Sequence, residues 1–104
     1  MPQIKTVKYE ARFCKKGMMV YISHLDLMTL FRRAIRRAGL PFVVTGGFTP
    51  RVKISIPSAL KLGRESGNEK MTLWLTDDID PKELLKEING QLPEGIRIVE
   101  IQRA

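Results

Sequence analysis

The sequence predicts an α+β fold in which both helices pack on one face of an antiparallel sheet. Three observations support this prediction: two segments with a helical apolar period, alternating apolar and polar residues in the segments that flank them, and glycine- and proline-rich turns between the elements. With 104 residues, the chain is expected to form a single domain over residues 1–104 with one modest core.

The first strand is predicted at residues 4–13, where apolar and charged side chains alternate. A turn is expected at residues 15–17, and the apolar run at residues 18–22 is expected to be extended. Ser23 then begins a predicted helix over residues 23–38 as its N-cap, and Gly39 and Pro41 end it.

The second half of the chain predicts three more strands and one helix. Alternating residues indicate strands at 52–56 and 71–76, with a loop over residues 57–68 between them. Asp80 and Pro81 begin a helix near residues 81–89, and a last strand is expected at 96–102. The order β-α-β-β-α-β is that of the ferredoxin-like split β-α-β fold.

Charge is unevenly distributed along the chain. The net charge is +7, but residues 1–64 hold 13 Lys and Arg against two acids, whereas residues 65–104 hold five against nine. Such a basic segment commonly contacts nucleic acid, and the alternative is a solvated surface that maintains solubility. The single cysteine, the lack of a long apolar run and the polar N-terminus predict a cytoplasmic protein without a membrane partner.

The first predicted helix carries an arginine-rich surface. Helical spacing places four arginines within two turns, opposite the apolar face: Arg32, Arg33, Arg36 and Arg37. A guanidinium group is planar and donates to phosphate in a fixed geometry, so these residues are candidate nucleic-acid contacts. A solvated helix face, or a contact with a partner protein, would use the same residues.

His24 is the only histidine, and it is the one candidate catalytic residue. An imidazole at the start of a helix is a candidate general base. No nucleophile or orienting carboxylate accompanies it at a diagnostic spacing. A histidine packed at the edge of the core is therefore the alternative interpretation.

The turn at residues 46–51 is a candidate anion site. The backbone N–H groups of Gly46, Gly47 and Thr49 would surround an anion, and Arg51 would add a positive charge. The turn is not a P-loop, because it leads into a strand and not a helix. A sharply bent strand entry, which needs only the glycines, is the alternative.

Strand alternation places Trp74 on the sheet face away from the helices, together with Lys53. A tryptophan exposed among basic residues is a candidate platform for a nucleic-acid base, and a covering partner is the alternative. No metal site is predicted, because the chain has one histidine, one cysteine and no clustered carboxylate pair outside a helix cap.

Several motifs together resemble the radical-SAM-linked domain of unknown function, a bacterial family encoded beside, or fused to, radical S-adenosylmethionine proteins. They are SHLDL at 23–27, FRRAIRRAGLP at 31–41, GFTP at 47–50, KIS at 53–55, LGRES at 62–66, and Glu69. The resemblance covers nearly the whole chain. It implies a radical SAM protein as partner and an RNA context, since some members neighbour ribonuclease E/G-type proteins.

Two departures from that family limit what the resemblance implies. Arg51 and Val52 stand where the family has a His-Pro pair, and family members are generally longer, so the chain corresponds mainly to their N-terminal part. The resemblance implies no particular reaction. With one cysteine the chain cannot hold an iron–sulfur cluster, so no cofactor is expected in it.

We therefore expect an accessory domain, and not an enzyme on its own, that binds RNA or presents it to a radical SAM partner. The expected contacts are Arg32, Arg33, Arg36, Arg37, Arg51, Lys53 and Trp74. Two alternatives are a protein-interaction module that docks on that partner without RNA, and a metal-independent RNA-processing enzyme that uses His24. A homodimer is a further expected arrangement, because a second copy would cover Trp74.

Overall fold

The computed structural model of the chain describes residues 6–57 and 63–104. The strands are β1 (Val7–Lys15), β2 (Ile54–Ser55), β3 (Ser66–Leu75) and β4 (Ile96–Arg103), and the helices are α1 (His24–Arg37) and α2 (Pro81–Asn89). A short 3-10 helix, Gly17–Tyr21, precedes α1. The order of the strands and α-helices confirms the predicted β-α-β-β-α-β sequence.

The four strands form one antiparallel sheet in the order β2-β3-β1-β4. The pairing of β1 with β4 shifts register at one point, because Arg12 lies opposite Glu100 whereas Phe13 lies opposite Ile98. This β-bulge inserts one residue into β4. As a result Ile98 and Ile101 are both buried, although their odd spacing would place them on opposite faces of a regular strand.

Both helices pack on the same face of the sheet. The buried apolar residues of α1 and α2 belong to one cluster with the inward-facing residues of all four strands. Leu27 and Phe31 on α1 and Leu84 on α2 have no exposed surface, and the rings of Phe31 and Phe13 meet edge to face with centroids 4.9 Å apart. The predicted α+β class, with the helices on one face, is confirmed.

The helix ends follow the capping signals of the sequence. The Ser23 hydroxyl accepts a hydrogen bond from the backbone N–H of Asp26 at 3.1 Å, and Asp80 accepts one from Lys82 at 3.2 Å. Gly39 ends the first helical segment with a φ of 69°, in the left-handed region that glycine adopts without strain.

Four local predictions are wrong. The run at residues 18–22 is mostly 3-10 helix and not extended, because a short apolar run has too little periodicity to separate the two states. Lys15, expected in a turn, is the last residue of β1 and is fully buried. The strand predicted at 52–56 is regular only over Ile54–Ser55, and β3 already begins at Ser66, within the predicted loop. Part of that loop, residues 58–62, lies outside the described residues.

A hairpin-like segment explains the short second strand. Before β2, the backbone of residues 43–45 pairs with that of residues 51–53: the Lys53 N–H donates to the Val43 carbonyl at 2.7 Å, and the Thr45 N–H donates to the Arg51 carbonyl at 2.8 Å. The Val43 N–H in turn donates to the Trp74 carbonyl on β3. Residues 41–45 therefore extend the edge of the sheet beyond β2.

Candidate nucleic-acid interface

Trp74 lies on the sheet face that the helices leave open. Its neighbours Leu73 and Leu75 are fully buried on the helix side, whereas Trp74 is partly exposed on the other side. This placement confirms the strand register that the sequence predicted. The Lys53 ammonium lies 4.5 Å from the centroid of the indole ring, and the Lys8 ammonium lies 6.0 Å from it.

The two lysines place positive charge beside the indole ring of Trp74. An ammonium over an aromatic face is attracted by the ring quadrupole, by about 0.5–1 kcal/mol at an exposed site. Within residues 6–57 and 63–104, neither Lys8 nor Lys53 forms an ion pair with a carboxylate. The surface around Trp74 therefore combines an accessible aromatic ring with uncompensated positive charge.

The rest of the open face is different, because its charges compensate one another. Arg12 forms an ion pair with Glu100 and donates to the Asn68 side chain at 3.3 Å. A depression of about 390 Å³ at this end is lined by both acidic and basic residues, among them Glu10 and Lys70. The cationic character of the open face is therefore local to the Trp74 end.

Arg32 on α1 is bonded to the hairpin-like segment next to Arg51 in sequence. The Arg32 Nε donates to the Val52 carbonyl at 3.1 Å, which fixes the side chain between α1 and the strand entry. Partial burial, followed by the like charge of Arg51, lowers the pKa of Arg32. An arginine retains its charge throughout the physiological range, so both residues stay positively charged.

Arg36 continues this group of cations along the helix. Its guanidinium lies 5.6 Å from the centroid of the Phe42 ring, and Phe42 bridges to Leu75 at the end of β3. We call Arg32, Arg36, Arg51 and Lys53 the basic edge. Its two α1 residues contact the segment 42–53, and Lys53 of that segment contacts Trp74 on the open face.

The sequence around the basic edge explains why no carboxylate neutralises its positive charge. From Leu27 to Arg64 the chain holds eight lysines and arginines and no aspartate or glutamate. In the part of the chain that the structure describes, none of the four residues of the basic edge forms an ion pair with a carboxylate. Repulsion between cations is unfavourable unless an anion lies between them, so this surface favours an anionic ligand.

Arg33 and Arg37 lie apart from the basic edge. Both line a groove of about 610 Å³ between α1 and the segment that follows α2. The groove is also lined by Asp26, Thr29, Leu30, Ala34 and residues 90–93. The four arginines that the sequence placed on one surface therefore face two surfaces, because residues 42–53 pack beside one pair and residues 90–93 beside the other.

The predicted anion turn is the tip of the hairpin-like segment. Gly47 has a φ of 109°, and the Arg51 N–H donates to the Thr45 hydroxyl at 3.1 Å across the base of the tip. Gly46 and Thr49 lie exposed in this tip. Anion binding by their backbone remains a prediction. The sequence reasoning overlooked Phe48, which is 109% exposed between the glycines and Pro50.

His24 is the first residue of α1, as predicted, and its ring is partly exposed. Its Nδ1 atom is buried and has no hydrogen-bond partner among the described residues. A catalytic role for His24 remains a prediction. Within residues 6–57 and 63–104, no group of three or more His, Cys, Asp or Glu side chains could hold a metal ion, and no helix is long and apolar enough to cross a membrane.

Comparison with known proteins gives one family match. Residues 8–104 match a family described as "Uncharacterized protein conserved in bacteria (DUF2344)". No curated protein matches the chain. The matched range includes the basic edge, Trp74 and the groove between α1 and residues 90–93.

Proposed function

The chain belongs to the bacterial family DUF2344, and we propose that it acts as an accessory domain that binds single-stranded RNA. In this proposal the RNA backbone contacts the basic edge, and a base stacks on Trp74. The domain would hold or present the RNA to a radical SAM protein in the cytoplasm, a partner suggested by the resemblance of its motifs. The chemistry would then reside in the partner.

One observation carries the proposal: the uncompensated basic edge ends at a partly exposed tryptophan. Phosphates bind lysine and arginine without regard to sequence, and an aromatic ring accepts any base, so this combination suits single-stranded nucleic acid. Duplex recognition would instead need a groove-reading helix or strand pair with polar side chains. The open face near Trp74 offers one ring and two amines.

The charge distribution supports the same ligand. Arg32 is fixed by its hydrogen bond to the Val52 carbonyl, so part of its conformational entropy is already lost before a phosphate binds. Lys53 lies two residues after Arg51 in sequence and contacts Trp74. One strand could therefore contact the arginines with its phosphates and the indole with a base.

The experiment compares two double variants that remove the same charge. Arg51→Gln with Lys53→Gln removes half of the basic edge, whereas Arg33→Gln with Arg37→Gln removes two charges from the groove. Binding of a labelled single-stranded RNA of about 12 nucleotides, within the usual range of site sizes, is measured by fluorescence anisotropy at several salt concentrations.

For the parent protein, a plot of the logarithm of the RNA-binding constant against the logarithm of the salt concentration should have a slope near −3. Each of four phosphate contacts on a single strand contributes about −0.7 to this slope. The variant of the basic edge should lose about 1.4 from the magnitude of that slope, and the groove variant should keep it. Equal losses in both variants would indicate general electrostatic attraction. An absence of binding by the parent protein would contradict the proposal.

The groove between α1 and residues 90–93 favours a second candidate function, docking on a partner protein. Leu30, Ala34, Leu92 and Pro93 give it an apolar lining, and Arg33 and Arg37 add positive charge. Such a surface suits an amphipathic segment with acidic residues. If this is the main function, the groove variant should lose binding to the radical SAM partner, while the variant of the basic edge should keep it.

A further inference from the structure

Phe48 is the most exposed large apolar residue among the described part of the chain. Its relative exposure of 109% means that no other residue covers the ring. Met18 and Leu25 are also exposed, but they lie in helices, whereas Phe48 lies at the tip of the hairpin-like segment. An aromatic ring left fully in water gains free energy when a ligand covers it.

The tip that carries Phe48 has a restricted backbone. Val44 and Val52 form a β-bridge in its stem, and Thr45 and Arg51 exchange two hydrogen bonds at its base. The φ of 109° at Gly47 is accessible to glycine with little strain, and Pro50 fixes its own φ. Phe48 is therefore presented on a stem whose shape is largely set before binding, which lowers the entropic cost of contact.

The arginines near this tip favour a nucleotide over an apolar protein pocket as the ligand. Arg51 closes the base of the tip, and its charge acts on Arg32, which is fixed on the Val52 carbonyl. An apolar pocket in a partner protein would accept Phe48 but would still need carboxylates for both guanidinium groups. A nucleotide satisfies all three residues, because its base is flat and apolar on its faces and its phosphates are anionic.

We propose that Phe48 stacks on an unpaired base of single-stranded RNA while Arg51 and Arg32 contact the adjacent phosphates. This inference rests on the proposed function and adds a second stacking position to it. The five residue steps from Phe48 to Lys53 span at most about 17 Å, and Lys53 contacts Trp74. A single strand of a few nucleotides could therefore reach both rings.

The test replaces Phe48 and a matched exposed aromatic residue. Tyr21 is 66% exposed in the 3-10 helix before α1, and Tyr21→Ala serves as the control. Phe48→Ala should weaken binding of the 12-nucleotide RNA by roughly tenfold, the effect of losing one base–aromatic contact, and should leave the salt slope unchanged. Tyr21→Ala should leave affinity unchanged. Because Phe48 contacts no core residue, its variant should keep the thermal midpoint of the parent protein.

A second measurement tests directly whether RNA contacts residue 48. In a Trp74→Phe background, Phe48→Trp puts the only tryptophan at the tip, and RNA should quench its emission with the same midpoint as the anisotropy change. If the parent protein binds RNA but Phe48→Ala binds equally well, the inference is wrong while the proposed function stands. If Phe48→Ala instead abolishes binding to a protein partner and leaves RNA affinity intact, the ligand of the tip is a protein. If the parent protein binds no RNA, both proposals fail.

Discussion

The ammonium of Lys53 lies 4.5 Å from the centroid of the Trp74 ring, close enough for a cation–π contact. In the free protein this contact occupies one side of the indole. A base that stacks there must displace Lys53, which is then free to contact a phosphate, whereas a base on the other side leaves it in place. Either geometry keeps the positive charge beside the nucleic acid.

Substitution of Trp74 separates stacking from charge. Trp74→Ala should weaken RNA binding roughly tenfold or more, because one base–aromatic contact contributes about 1–3 kcal/mol. Trp74→Phe should recover part of the loss, since a smaller ring still stacks. Thr72→Ala, on the same open face, is the matched control. An affinity unchanged in Trp74→Ala would favour a role for Trp74 in a protein interface.

Asn89 should be important for stability, because its side chain replaces a strand partner at the outer edge of β4. Its amide nitrogen donates to the Ile98 carbonyl at 2.9 Å, and its oxygen accepts from the Ile98 N–H at 2.8 Å. Asn89→Ala should lower the free energy of unfolding by about 1–3 kcal/mol, measured by urea denaturation. Gln91→Ala is the exposed control, and equal stability of the two variants would argue against this bridge.

Gly95 is required where the chain enters β4. Its φ is 97°, and a Cβ there would lie 2.6 Å from the Lys16 carbonyl oxygen and 2.8 Å from the Cγ of Met19. Gly95→Ala should therefore lower the free energy of unfolding by at least about 1–3 kcal/mol, from backbone strain and the clash together. Gly67→Ala, with no atom within 4 Å and no positive φ, should change stability little. Similar thermal midpoints for the two variants would contradict this reasoning.

The sequence predicted the fold well where its signals were strong. Ser23, Asp80 and Gly39 placed the helix ends to within a residue, because caps act through local hydrogen bonds and local backbone conformation. The short second strand could not be predicted, since it depends on pairing between residues 43–45 and 51–53 across a turn. The bulge in β4 depends likewise on pairing with β1.

The sequence predicted most residues of the candidate site, but it did not predict how they are arranged in space. Strand alternation placed Trp74 and Lys53 on the open face, and the structure adds that they are in contact. The helical wheel grouped four arginines, but their separation into the basic edge and the groove depends on where residues 42–53 and 90–93 pack against α1. Phe48 was overlooked because exposure in a turn is a property of the folded chain.

The most direct test of RNA binding at the basic edge uses the emission of Trp74, the only tryptophan in the chain. Single-stranded RNA is titrated into the parent protein at two salt concentrations while emission and anisotropy of the labelled RNA are followed together. We expect RNA to quench the Trp74 emission saturably, with the same midpoint as the anisotropy change. At the higher salt concentration, both midpoints should move to a higher RNA concentration. An anisotropy change without any change in Trp74 emission, or no binding at either salt concentration, would contradict this expectation.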